Sequence, residues 1–157
     1  MDTNFARVGG LTLPKRLLAL IDSGLWPCTG DNPRQQSLKS VVAKERIQLF
    51  APGEDEVYLY SPPFSTIAGR VAADKADFWS RFGALEQITP ELCVDIGDLG
   101  AGSDSAIVLD YSERPFDPSV IRLQWRKPLP NVWVRCADSF DAFADMLGLD
   151  NNAPPQP

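Results

Sequence analysis

Apolar residues recur at helical spacing near the start of the chain and alternate with period two through its second half. Leu13, Leu17, Leu20 and Ile21 lie at i, i+4, i+7 and i+8, one face of an α-helix, with Pro14 tolerated in the first turn and Gly24 as a stop. Residues 25–33 hold two prolines and a Gly-Asp-Asn cluster, so this stretch is expected to be irregular, with Trp26 folded back on the core. The β-rich runs 46–50 and 57–60 flank Ala51-Pro52-Gly53-Glu54-Asp55-Glu56, which predicts a hairpin with an acidic tip. Ser61-Pro62-Pro63-Phe64 ends its second strand, because proline cannot donate to the ladder. The spacing of Ala76, Trp79 and Phe82 predicts a helix over 73–82, with Gly83 just beyond it.

Four alternating runs follow: Leu92, Val94 and Ile96; Ile107, Leu109 and Tyr111; Ile121, Leu123 and Trp125; and Val132, Val134 and Cys136. Period two predicts strands with one buried face, which puts Asp95 and Asp110 on solvent-facing positions. The connections at 112–119 and 127–130 are too short for a crossover helix, so neighbours should pair antiparallel. Ser139 is a good N-cap for a closing helix in which Phe140, Phe143 and Leu147 share a face, and Gly148-Leu149 suits its C-terminal cap. The expected fold class is α+β, one domain over 1–150 with a disordered tail at 151–157. Its core should be a mainly antiparallel sheet of about four to six strands with helices packed on one side.

Between the first two alternating runs lies Gly97-Asp98-Leu99-Gly100-Ala101-Gly102-Ser103-Asp104-Ser105. Its three glycines admit φ > 0, and Asp98 and Asp104 are placed to accept hydrogen bonds from the loop's own amides. We therefore expect a structural loop, with Gly100 or Gly102 at positive φ. The spacing Gly-x-x-Gly-x-Gly also suggests a phosphate cradle, but β-forming Ile107-Val108-Leu109 follows where a helix N-terminus is needed, and the loop has no lysine. Asp95, Asp98, Asp104 and Asp110 admit a carboxylate cluster for a divalent cation, yet they lack the intermediate acids of a calcium loop.

Composition narrows the picture further. At 157 residues, 44% apolar and 23% charged, the chain has the make-up of a single globular domain, and no stretch approaches the roughly 20 apolar residues of a membrane span. Residues 1–7 lack the basic-then-apolar order of a secretory signal, so a cytoplasmic location is expected. The three cysteines, Cys28, Cys93 and Cys136, are too few for a four-ligand zinc site in a chain without histidine, and read as reduced core residues. The lack of histidine also removes Ser-His-Asp and Cys-His catalysis, and no cofactor or metal is expected. Residues 1–50 carry net charge +3 and residues 51–157 carry −9. Such an acidic body disfavours nucleic acid and anionic membranes and favours a basic protein partner. Glu54, Asp55, Glu56, Asp110 and Glu113 are the candidate acidic surface, although the first three also read as a solvated hairpin tip. Trp79 and Trp125 share phase with apolar neighbours and should be buried, whereas Trp133 is out of phase with Val132 and Val134 and is the candidate exposed or second-face aromatic.

The order of motifs in the second half resembles the SUKH superfamily. The likeness rests on Ile96-Gly97-Asp98-Leu99-Gly100-Ala101-Gly102-Ser103-Asp104, then Ile107-Val108-Leu109-Asp110-Tyr111, Pro118-Ser119-Val120-Ile121, Trp133-Val134 and Ser139-Phe140-Asp141-Ala142-Phe143. It covers roughly residues 92–149, with Leu13-Pro14 opening the first helix in addition. The resemblance implies a non-enzymatic α+β binding domain, used in bacteria mostly as an immunity protein that neutralises a toxin by direct association. It implies as an alternative a housekeeping or regulatory interaction protein of the Smi/Knr type. A metal-dependent hydrolase built on the Asp-rich loop is a third reading, drawn from the residues alone.

Overall fold

The computed structural model describes residues 6–27, 42–73, 77–99, 105–126 and 128–149. Strands β1 (Arg7–Val8) and β2 (Leu11–Thr12) form a small antiparallel pair that leads into helix α1 (Lys15–Asp22), whose Leu17, Leu20 and Ile21 are buried as the spacing predicts. Helix α2 (Lys44–Phe50), strands β3 (Tyr58–Leu59) and β4 (Ser65–Thr66), and helices α3 (Ile67–Ala73) and α4 (Phe78–Phe82) come next. Two 3₁₀ turns then precede strands β5 (Cys93–Asp98), β6 (Ala106–Asp110), β7 (Ser119–Gln124) and β8 (Val132–Ala137), and helix α5 (Phe140–Leu147) closes the fold.

β5 to β8 form an antiparallel meander. Both β3 and β4 pair with β5 along its free edge, β3 beside Gly97 and Asp98, β4 beside Val94 and Asp95. The result is the expected α+β architecture, with six strands in the main sheet.

The helices do not keep to one side of it. Val94, Ile96, Ile107, Leu109 and Val120 face a core completed by α1, α2 and α5, with Trp26, Phe140 and Phe143 at its centre. Cys93, Ala106, Val108 and Ile121 face a second, smaller core closed by Ile67 of α3 and Trp79 of α4. β5, β6 and β7 are therefore buried on both faces, and period-two alternation misreads their outer face as solvated.

Two elements differ from the sequence expectation for local reasons. Residues 46–50 are helical, so the hairpin around Glu54 does not form. Short apolar runs fit either structure, and here Ile47 and Phe50, three apart, both face the core, where Phe50 packs edge-on against Phe143 with ring centroids 4.9 Å apart. The helix expected over 73–82 is replaced by α3 and α4, and Asp77, just before α4, takes a left-handed φ of 58°, which a continuous α-helix excludes.

The closing helix forms as its caps dictate. Ser139 Oγ accepts a hydrogen bond from the Ala142 amide at 3.1 Å, Gly148 adopts φ 66°, and Leu149 is buried beyond it. Ser139→Ala should lower stability by about 1 kcal/mol in urea melts, the usual worth of an N-cap. The expected tail at 151–157, Cys28, and Gly100, Gly102 and Asp104 of the loop lie outside the described residues.

Candidate functional site

The feature that sets β5 apart is a carboxylate on a buried strand face. Asp95 is 3% exposed, lies on the same sheet face as Cys93, and sits where the β5–β6 register shifts between Asp95 and Gly97. The neighbouring edge is interrupted at the same place. The Tyr60 amide donates to the Ile96 carbonyl at 3.0 Å, residues 61–64 then leave the ladder, and Ser65 rejoins it opposite Asp95. Pro62 and Pro63, joined by a cis bond, have no N–H to offer β5, so the chain arches away from the sheet.

The arch and Arg70 of α3 enclose a cleft of about 430 Å³, with Asp95 among its lining residues. Arg70 Nε pairs with Asp95 Oδ2 at 3.0 Å, and its guanidinium lies 5.4 Å from the Tyr60 ring centroid. A second hollow of about 140 Å³ shares Tyr60, Arg70 and Asp95 and adds Asp98, Phe78 and Trp79. Asp95 Oδ1 has no hydrogen-bond partner among the described residues. Burial pushes the Asp95 carboxyl up to about 7, with the Asp98 charge adding to the rise, while Arg70 and the Gly97 amide oppose it. Chemically, the cleft presents an arginine–carboxylate pair whose buried carboxyl exchanges a proton near neutral pH.

The candidate acidic residues do not gather into one surface. Glu54, Asp55 and Glu56 precede β3, whose Tyr58 pairs with Asp98, whereas Asp110 pairs with Cys93 at the other end of β5. Five residues of strand, roughly 17 Å at about 3.3 Å each, separate those ends. Asp110 Oδ1 accepts from the Ser112 amide at 3.0 Å, and Glu113 is ion-paired with Arg135. Asp98 does accept a loop amide, from Ser105 at 3.0 Å. Gly97 is not needed for positive φ. It lies within β5, where an added Cβ would sit 2.7 Å from the Tyr58 carbonyl oxygen. Asp95 is buried rather than solvent-facing, because α3 and α4 cover that face. Among the described residues no group of three or more acidic or cysteine side chains is placed to hold a metal.

Trp133 lies on the second face, half-buried against the smaller core, with its indole N–H donating to the Gly83 carbonyl at 2.8 Å. Trp125 is not the buried residue its phase suggests. β7 ends one residue before it, and it stacks at the surface on Phe82 and Phe78 with centroids 5.2 and 6.2 Å away. Phe82 is 39% exposed and Leu129 55% exposed, and both line a hollow of about 260 Å³ with Arg81 and Trp125. Sequence reasoning missed Arg70 and this aromatic group. The Pro62-Pro63 step was the available signal for the arch over the cleft, since it marks where an edge strand must break.

Among the described residues no helix is long and apolar enough to cross a membrane. No protein-family model, curated protein or solved structure matches the chain.

Proposed function

We propose that this chain is a non-enzymatic protein-binding domain, and that it serves in the bacterial cytoplasm as an immunity protein, holding a toxin domain inactive by direct association. The observation that carries the reading is the fixed aromatic surface of Phe82, Trp125 and Leu129. The exposed Phe82 and Leu129 beside the half-buried Trp125 ring and Arg81 have the composition of an interface hot spot. The surface is held in shape before any partner arrives: Asn131 Nδ2 donates to the Phe82 carbonyl at 3.0 Å, and Trp133 bonds the adjoining Gly83. Such pre-ordering reduces the entropy cost of association. The net charge of −9 beyond residue 50 supports a basic partner, with the aromatic surface as anchor and the dispersed carboxylates, Glu54, Asp55, Glu56, Asp110 and Glu113, contributing long-range attraction. The resemblance of the motif order to that of SUKH proteins supports the immunity role in particular.

The test is affinity capture from native cells with the wild-type chain and with Phe82→Ser/Trp125→Ala. The double variant should lose its partner by more than about tenfold, as truncating two anchors predicts, with little change in melting temperature. Expression of the captured partner should arrest growth, and co-expression of this chain should restore it. Undiminished capture by the double variant would rule out this surface. A captured partner that is harmless to cells would replace immunity with the regulatory, Smi/Knr-type reading.

A further inference from the structure

We propose that the cleft beneath the 60–64 arch is a binding site for a carboxylate on an apolar stem, received by the guanidinium of Arg70. The cleft has two charged side chains on its wall, Arg70 and Asp95, and a ligand meets them unequally. The Asp95 side chain is 4% exposed and that of Arg70 is 42% exposed, so the charge within reach is the positive one. The head group itself lies at that wall. Tyr60, Arg70 and Asp95 line both the cleft and the smaller hollow, and the guanidinium touches the other two, bonding Asp95 at 3.0 Å and lying over the Tyr60 ring at 5.4 Å.

This arginine is held in place before any ligand arrives and still has donors to give. Asp95 engages it at Nε, through the single oxygen Oδ2, and among the described residues Arg70 makes no other hydrogen bond or ion pair. A guanidinium carries five N–H donors, so the Nη groups remain for a ligand, and their fork matches the two oxygens of a carboxylate. Fixing the side chain in advance reduces the ordering cost of binding. Charge selects among anions. One arginine matches the single charge of a carboxylate, whereas a phosphate monoester brings about −1.5 to −2 and would set that excess against Asp95. Pro62, Pro63 and Phe64 line the same cleft and suit an apolar stem, and Ser65 adds an exposed hydroxyl. A volume of about 430 Å³ lies within the range of small-ligand sites.

The carboxylate can come from a free organic acid or from an acidic side chain of a protein partner. The side-chain case rests on the protein-binding reading above and would extend its interface to the arch; the free-acid case does not. Asp95 gives the site a pH dependence, because its ionised form offsets the charge of Arg70 and its protonated form leaves that charge to the ligand. The groups facing Asp95 are Arg70 from α3, Asp98 on its own strand and Tyr60 from the arch. Ser65 of β4, Val108 of β6, Phe78 and Trp79 of α4 and the neutral Cys93 thiol bring no charge. With the carboxyl at about 7, carboxylate affinity should rise by up to about tenfold from pH 8 to pH 6, following the protonated fraction.

The experiment is an NMR titration of the full chain at pH 7, without partner, with hexanoate, Nα-acetyl-glutamate methylamide, 1-hexanol and ethyl phosphate. At least one of the two carboxylates should saturably shift the Arg70 Nε–H resonance and the amides of the arch, and hexanol should not. Ethyl phosphate should bind more weakly than the better carboxylate. Arg70→Gln should weaken carboxylate binding at least about tenfold, as loss of a charge-assisted fork predicts. Preference for the glutamate derivative assigns the site to a protein side chain, and preference for hexanoate assigns it to a free acid. Failure of both carboxylates, equal binding of hexanol, tighter binding of ethyl phosphate, or affinity that does not rise from pH 8 to pH 6 would overturn the proposal, and none of these needs a variant. Because no partner is present, such a failure leaves the aromatic surface and its test untouched.

Discussion

Replacing Gly97 with valine should lower folding stability by about 3 kcal/mol, the upper end of the usual overpacking cost, because it presses on a backbone that cannot yield. The added Cβ would stand 2.7 Å from the Tyr58 carbonyl oxygen and 3.6 Å from Leu59 Cα, and both belong to the paired strand. A flexible side chain could swing aside. The β3 backbone can move only by giving up its pairing with β5. That loss reaches the cleft, because Tyr60 follows directly and its amide bonds to Ile96. The urea midpoint of Gly97→Val should therefore fall sharply. Gly69→Ala is the matched control. Its Cβ meets only Thr66 Oγ1 at 3.4 Å in helix α3, so alanine's better helix propensity should leave stability equal or higher by about 0.5–1 kcal/mol. Comparable midpoints for Gly97→Val and wild type would mean that β3 is not held against β5 as described.

How much of this was legible in the sequence depended on whether local chemistry or tertiary context decided the structure. α1 and α5 were legible because their apolar positions repeat at helical spacing and their ends carry residues with one evident role, such as Ser139 and Gly148. The meander was legible because short connections leave antiparallel pairing as the only choice. The second core was not. Cys93, Val108 and Ile121 give the strands an apolar outer face, but nothing local says whether a helix will cover it, and α3 and α4 are short and weakly patterned. The candidate site depended on that missing layer. Asp95 reads as a surface residue in a period-two strand and becomes a buried acceptor only once α3 and α4 lie over it. Asp110, assigned the same solvent-facing role, keeps partial exposure at the strand end. Arg70 had no signal of its own, since a single arginine on a short helix is most often solvated. The aromatic surface was hidden for a related reason: Phe82 and Trp125 keep the phase of buried residues, but Phe82 is the last residue of α4 and Trp125 lies just beyond β7, where phase no longer dictates burial.

Asp95 should make the folded chain less stable as pH rises, opposite to a salt-bridged surface carboxylate. Its carboxyl sits at about 7 when folded, against 3.8 for an unperturbed aspartate, with burial the leading cause. Below pH 3.8 both states hold the proton and the side chain is neutral in place. Between that value and about 7 the unfolded chain ionises while the folded chain retains its proton, and stability drains away. Above about 7 both are ionised and the loss is complete. At about 1.4 kcal/mol per pH unit for one proton, the window amounts to as much as about 4 kcal/mol. The chain has 21 acidic residues, so the effect should be read as a difference between wild type and Asp95→Asn. Asparagine can still offer Arg70 an oxygen, and Arg70, with its side chain 42% exposed, keeps its hydration. The variant should match wild type to within about 1 kcal/mol at pH 4 and exceed it by up to about 4 kcal/mol at pH 8, the cost of one desolvated charge. Chemical denaturation across that range tests it, and a variant less stable than wild type at pH 8, or a difference that does not grow with pH, would refute it.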